Sequence, residues 1–215
     1  MSYFPVLVDL DKMPALVVGG GRVALRKVEN LLEFDADITL ISPEILPELQ
    51  SYADSGKIKF QKRTYQKGDA DQFKIVFSAV DDLSVPEVLK ADCDKNSAIL
   101  NAADVPEYCD FIMPATIRRG PLTVSIASQG EAPFFVRSMR QKLDKVLSPH
   151  LKDTAELAAQ FRNLLYERDV YDKTEIREKL ISEFLQTDWD KIMSEQGRFI
   201  AETQLKTMFE NYPRK

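Results

Sequence analysis

The stretch ALVVGGGRVALRKVENLL, Ala15 to Leu32, decides the fold. An aliphatic run ends in three consecutive glycines, and apolar side chains then recur at Ala24, Leu25, Val28, Leu31 and Leu32, the spacing of one helix face. It reads as strand, glycine turn and helix. Within it, Gly19-Gly20-Gly21-Arg22-Val23-Ala24 fits G-x-G-x-x-A. Gly19 permits the tight turn, Gly21 lets the backbone approach a pyrophosphate, and the small Ala24 lets helix and strand pack closely. The N–H groups of the helix start, at Arg22 and Val23, face the anion.

Outward from this stretch, short apolar runs at Leu16–Val18, Ile38–Ser42, Ile58–Phe60, Lys74–Ala79 and Ala98–Ala102 alternate with helical patterns such as Val85–Cys93. Strands separated by helices predict an α/β fold with a Rossmann-like, doubly wound parallel sheet. After Pro114 the pattern changes. TIRRGPLTVSIAS has a turn at Gly120-Pro121 and alternation through Leu122, Val124 and Ile126, so a pair of strands is expected there, followed by a helix from Pro133. Beyond Pro149 come three amphipathic patterns: Ala155 to Leu165, Ile176 to Leu185, and Phe199 to Phe209. They predict a small C-terminal helical domain. The expected division is 1–113, 114–148 and 149–215.

A hydrophobic content of 44% over 215 residues is enough to bury a core. MSYFPVLVDLDK has no basic leader before a long apolar run, and no segment reaches the roughly 18 uncharged apolar residues of a membrane span, so a cytoplasmic protein without membrane contact is expected. Cys93 and Cys109 lack metal-ligand spacing and His150 stands alone, so no metal site is expected. The formal net charge of −5 argues against a nucleic-acid partner. Its distribution is more informative. Residues 1–110 carry 12 basic and 19 acidic side chains, whereas residues 111–150 carry 6 and 2. A basic island in an acidic chain suggests a defined anionic small molecule.

The second strand run ends in Ser42-Pro43, where an acidic residue usually meets the ribose 2′-hydroxyl. Glu44 is the nearest acid and no Lys or Arg follows to receive a 2′-phosphate, which favours NAD over NADP. The candidate cofactor-binding residues are Gly19, Gly21, Arg22, Val23, Ser42 and Pro43.

Three segments together resemble the precorrin-2 dehydrogenases of siroheme synthesis, including the amino-terminal portion of siroheme synthases. They are Phe4 to Pro43 with the glycine turn, FSAVDD at Phe77 to Asp82, and NAADVPEYCDFIMPATIRRGPLTVSIASQGEAPFFVRSMRQKL at Asn101 to Leu143. The resemblance implies NAD-dependent oxidation of precorrin-2 to sirohydrochlorin by a homodimer, with residues 114–148 as dimerisation segment. Some members also insert ferrous iron, so a bifunctional dehydrogenase and ferrochelatase is an alternative. A nucleotide-sensing module without catalysis is the alternative from another class.

The resemblance makes Asp104, in NAAD, the catalytic candidate. A strand-end carboxylate at the carboxyl edge of the sheet is suited to take a proton while hydride leaves, whereas the plain alternative is an Asp capping the turn of DVPEY. Ser128 falls at a serine of the family's site and is read as substrate-binding. Arg118, Arg119, Arg137 and Arg140 are expected to meet the eight carboxylate arms of the tetrapyrrole, Arg137 and Arg140 lying i, i+3 on one helix face.

Overall fold

A computed structural model describes residues 3–82 and 84–212. The chain forms two compact units, 1–113 and 114–215. In the first, strands β1 (Pro14–Val18), β2 (Asp37–Ile41), β3 (Lys59–Gln61), β4 (Ile75–Ser78) and β5 (Ile99–Ala102) make one sheet in the order β3-β2-β1-β4-β5. Every pairing is parallel, with Val18 level with Ile41 and Ser78, and Ser78 level with Ala102. The order reverses between β1 and β4, so a crevice opens at the carboxyl ends of these two strands.

The strands are near-continuous apolar runs because helices cover both sheet faces. On one face Ala15, Val17, Ile38, Leu40, Ile75 and Phe77 pack with Ala24, Val28 and Leu31 of helix α1 (Arg22–Leu32) and Leu49 of α2 (Pro47–Asp54). On the other, Leu16, Val18, Ile41, Val76 and Leu100 pack with Leu89 and Cys93 of α3 (Ser84–Asn96). The period of two sends successive residues of each strand to opposite cores. Both Cys93 and Cys109 are free thiols. Burial pushes the Cys93 thiol up to about 11.

The second unit begins with an antiparallel pair, β6 (Ala115–Arg119) and β7 (Leu122–Ile126), closed by a two-residue turn at Gly120-Pro121 with Arg119 opposite Leu122. Helix α4 (Pro133–Val146) follows, then α5 (Leu151–Glu167), α6 (Thr174–Gln186), α7 (Trp189–Gln196) and α8 (Arg198–Thr207). Their core holds Leu157, Phe161, Leu165, Leu180, Phe184, Trp189, Met193, Leu205 and Phe209. Four helices thus stand where three amphipathic patterns are legible in the sequence. The additional one, α7, is only two turns long; Asp188 caps it by accepting the Lys191 N–H, and the Trp189 indole N–H donates to the Phe184 carbonyl at 2.8 Å. Among the described residues no helix is long and apolar enough to cross a membrane.

Candidate active site

The three glycines meet three different demands. Gly19, with φ +121°, leaves β1 in a conformation that L side chains avoid, and a Cβ there would overlap the Ala79 carbonyl beyond β4. Gly20 has no such dihedral constraint, but a Cβ would overlap the Glu44 carbonyl, because the chain leaving β2 crosses directly over it. This crossing is fixed by two bonds: the Leu46 N–H donates to the Gly20 carbonyl at 3.0 Å, and the Ser42 hydroxyl donates to the Glu44 carbonyl at 2.6 Å. Gly20 is therefore a close-packing residue, although the G-x-G-x-x-A pattern leaves its position open.

Gly21 is the N-cap of α1 and has ordinary extended dihedrals, φ −87° and ψ −167°. A Cβ there would have no atom within 4 Å. The protein's own packing therefore does not call for a glycine, and the space beside the helix start is open. No side chain caps α1 and no acidic residue stands in its first turn. The first-turn N–H groups, at Arg22, Val23 and Ala24, have no intrahelical acceptor and face that space with the positive end of the helix dipole. A dinucleotide pyrophosphate fits this arrangement. Ser42 is buried and its hydroxyl proton is engaged by Glu44, so it shapes the β2 exit, while Pro43 and Glu44 are exposed.

Asp104 follows β5 on the same carboxyl edge of the sheet. Its backbone is left-handed, φ +61°, and its side chain is exposed. The turn that follows, a 3₁₀ turn at Pro106–Tyr108, starts from Val105 without a side-chain cap, and the Asp104 carboxylate accepts no hydrogen bond among the described residues. The neighbouring Asp82, by contrast, is a capping residue: its Oδ1 accepts from both the N–H and the hydroxyl of Ser84, which hold its carboxyl below the usual range.

The remaining candidates lie in the second unit. The Ser128 Oγ accepts the Ala132 N–H at 3.0 Å and so steadies the start of α4. Arg119 is paired with Asp144 of α4 at 2.6 Å, and Arg118 is exposed on β6. Arg137 and Arg140 sit one turn apart on α4 and form no ion pair with a carboxylate among the described residues. A charged residue not singled out in the sequence is Lys27, which falls on the buried face of α1 between Ala24 and Leu31. The signal in the sequence is its spacing: it stands three residues after Ala24 and four before Leu31, in phase with the apolar face.

Residues 6–115 match the family model described as "Putative NAD(P)-binding". A siroheme synthase of Actinobacillus pleuropneumoniae serotype 3 (strain JL03) is 32% identical over 163 residues, 76% of this chain and 34% of that protein. Siroheme synthase 1 of Serratia proteamaculans (strain 568) is 34% identical over 168 residues, 78% and 35% of the two chains. The chain thus spans about a third of the length of these curated relatives. Among solved structures, SirC, a precorrin-2 dehydrogenase, superposes with a TM-score of 0.77 over 98% of this chain and 100% of its own, at 22% identity, which shows a shared fold. With the family model matching half of its length and the glycine turn standing open at the sheet edge, the chain belongs to the NAD(P)-binding family, and siroheme synthases are among its relatives.

Proposed function

We propose that this chain oxidises precorrin-2 to sirohydrochlorin with NAD. The observation that carries the reading is Asp104: an exposed, uncapped carboxylate in a left-handed conformation, on the same sheet edge as the open glycine turn. Asp enters the left-handed region more readily than most residues, and Asp35 and Asp169 do so too, so the backbone turn alone marks no site; what sets Asp104 apart is a carboxylate left exposed at the sheet edge. An Asp whose work was to cap the turn would be bonded to it. The relatives named siroheme synthase and the fold shared with a precorrin-2 dehydrogenase support the same reading.

Bound NAD supplies the hydride acceptor. The first turn of α1 holds its pyrophosphate through backbone N–H groups, with Gly21 giving the approach. At the β2 exit no Lys or Arg occurs from Ser42 to Gly56, so a 2′-phosphate has no cationic partner there and NAD is the form that fits. Asp104 takes the proton that precorrin-2 loses as its hydride departs, and the products are sirohydrochlorin, NADH and one proton. Arg137 and Arg140 bind carboxylates of the tetrapyrrole; Arg119, held by Asp144, has a structural commitment first. Homodimer formation fits the exposed apolar side chains of α4, Phe134 at 79% and Val146 at 80%, and light scattering tests it.

The test is incubation of the purified chain with precorrin-2 and NAD, following the oxidised macrocycle and NADH by absorbance. One NADH per sirohydrochlorin is expected. Tight NAD binding without oxidation would identify a nucleotide-sensing module, and loss of free sirohydrochlorin only when ferrous iron is added would identify the additional chelatase.

A further inference from the structure

Lys27 is 7% exposed and surrounded by apolar groups, yet it forms no ion pair among the described residues. Its Nζ donates to Asn101 Oδ1 at 2.7 Å, lies 3.3 Å from the Met113 sulfur and 5.4 Å from the centroid of the Phe77 ring. A buried ammonium without a carboxylate is costly, and an apolar side chain of similar length would fill the same space. Its contacts are informative because of what they join. Asn101 is the third residue of β5, and its Nδ2 donates to the Phe111 carbonyl at 2.9 Å. Between Asn101 and Phe111 the chain makes the loop that carries Asp104.

The base of that loop is stitched twice more. The Asp110 N–H donates to the Leu100 carbonyl at 2.8 Å, and the Leu100 N–H donates to Asp110 Oδ2 at 2.9 Å. The Cys109 thiol donates to the Ala102 carbonyl at 3.1 Å. Lys27 touches both flanks of the loop, Asn101 before it and Met113 after it, from the helix whose uncapped first turn borders the open space beside Gly21. We propose that Lys27 is a positioning residue, a buried tie from α1 to the base of this loop that holds Asp104 at the sheet edge in register with the glycine turn. Its effect on turnover rests on the dehydrogenase reading; its effect on the loop does not.

The tie is sensitive to pH. Burial is the largest influence and brings Lys27 down to about 8; Arg26 on α1 also lowers it, while Cys109 and Asp104 on the loop pull it upward. From β4 it meets the Phe77 ring, and the Asp110 carboxylate is occupied by Lys90 and the Leu100 N–H. Loss of the ammonium proton leaves an ordinary amine bond to Asn101 in place of a charge-assisted one.

Three proteins test the proposal: wild type, Lys27→Met and Asn101→Asp. In wild type without ligand, NMR of 13C-labelled lysine should show Lys27 titrating near pH 8, and the Asp104 amide resonance should move with the same midpoint. Turnover should fall about three- to tenfold through that midpoint while the KM for NAD holds. Lys27→Met should keep its NAD affinity within about twofold, lose roughly ten- to a hundredfold in kcat, as misplacement of a reacting group does, and lack the limb near pH 8. Asn101→Asp gives the ammonium a carboxylate partner and should raise the midpoint by at least about one unit in both readouts. An Asp104 amide indifferent to the Lys27 titration, an unmoved midpoint in Asn101→Asp, or wild-type kcat in Lys27→Met would each overturn it. If Lys27→Met does not fold, the wild-type and Asn101→Asp titrations decide. A wild type that binds NAD but leaves precorrin-2 unoxidised refutes the dehydrogenase reading, and the ligand-free amide titration then decides the tie alone.

Discussion

Substituting Gly21 by Asp should strengthen the fold and abolish cofactor binding, a combination that only an open, uncapped helix start permits. The added side chain has no atom within 4 Å of its Cβ, and the dihedrals, φ −87° and ψ −167°, suit any residue. Asp is a better N-cap than Gly by a few tenths of a kcal/mol, and a carboxylate at a helix N-terminus gains about 0.3–1 kcal/mol from the dipole. No acidic residue already stands in that first turn, so the gain is not duplicated. About 0.5–1 kcal/mol in total corresponds to roughly 2–6 °C in Tm for a unit of this size. The same carboxylate takes the N–H groups that the pyrophosphate needs. It would also repel the phosphate charges, and two like unit charges in contact, about 4 Å apart, cost each other about 4 kcal/mol at an effective dielectric constant of about 20. Even after substantial screening, NAD affinity should fall at least about 100-fold. Calorimetric titration with NAD, beside thermal melting without it, reads both effects. Unaltered NAD affinity in the folded variant would remove the glycine turn from the site, and a Tm lowered by several degrees would refute the packing argument.

Gly20→Ala should do the opposite: its Cβ meets the Glu44 carbonyl, the β2 exit must shift, and a destabilisation of about 1–3 kcal/mol is expected in urea unfolding. Charge reversal at Arg137 and Arg140 together should weaken tetrapyrrole binding by roughly ten- to a hundredfold per residue while NAD affinity, measured in the same titration series, changes less than about twofold. The alkaline stability of wild type should rise relative to Lys27→Met. Folded Lys27 gives up its proton near 8 and the unfolded residue near its ordinary 10.5, so between these values the unfolded chain binds more protons and unfolding becomes harder as pH rises. The difference should approach about 3 kcal/mol across the window in denaturant melts at stepped pH, and a flat difference would show that the ammonium is not buried at a cost.

The sheet is legible because its central strands carry uninterrupted apolar runs: Leu16–Val18 and Ile75–Phe77 announce burial on both faces, and the helical spacing from Ala24 to Leu31 leaves one place for α1. The boundary after Met113 follows the change from runs to alternation. Helix α7 was hidden because two turns offer only Trp189, Ile192 and Met193, too few to set a period. Contacts between distant segments were hidden altogether. Gly20 owes its size to Glu44 passing over it, and Ser42 spends its hydroxyl on that same passage, neither of which a strand-end pattern records. In the basic island, adjacent arginines look alike in sequence, yet Arg119 is bound to Asp144 across 25 residues. Lys27 was present in the spacing but reads as a charge, and a charge on an apolar face takes meaning only when Asn101, 74 residues away, is seen beneath it.

Asp104 is the one side chain whose change separates cofactor binding from proton removal. Asp104→Asn keeps the size of the side chain and tolerates the left-handed backbone, φ +61°, since Asn adopts that region about as readily as Asp. It removes only the base. In single-turnover oxidation at saturating NAD and precorrin-2, the wild type should yield one NADH per sirohydrochlorin, and the Asn variant should be slower by roughly 10² to 10⁴, with Tm and NAD affinity unchanged. Near-wild-type turnover in that variant would contradict the assignment of Asp104 as the proton acceptor.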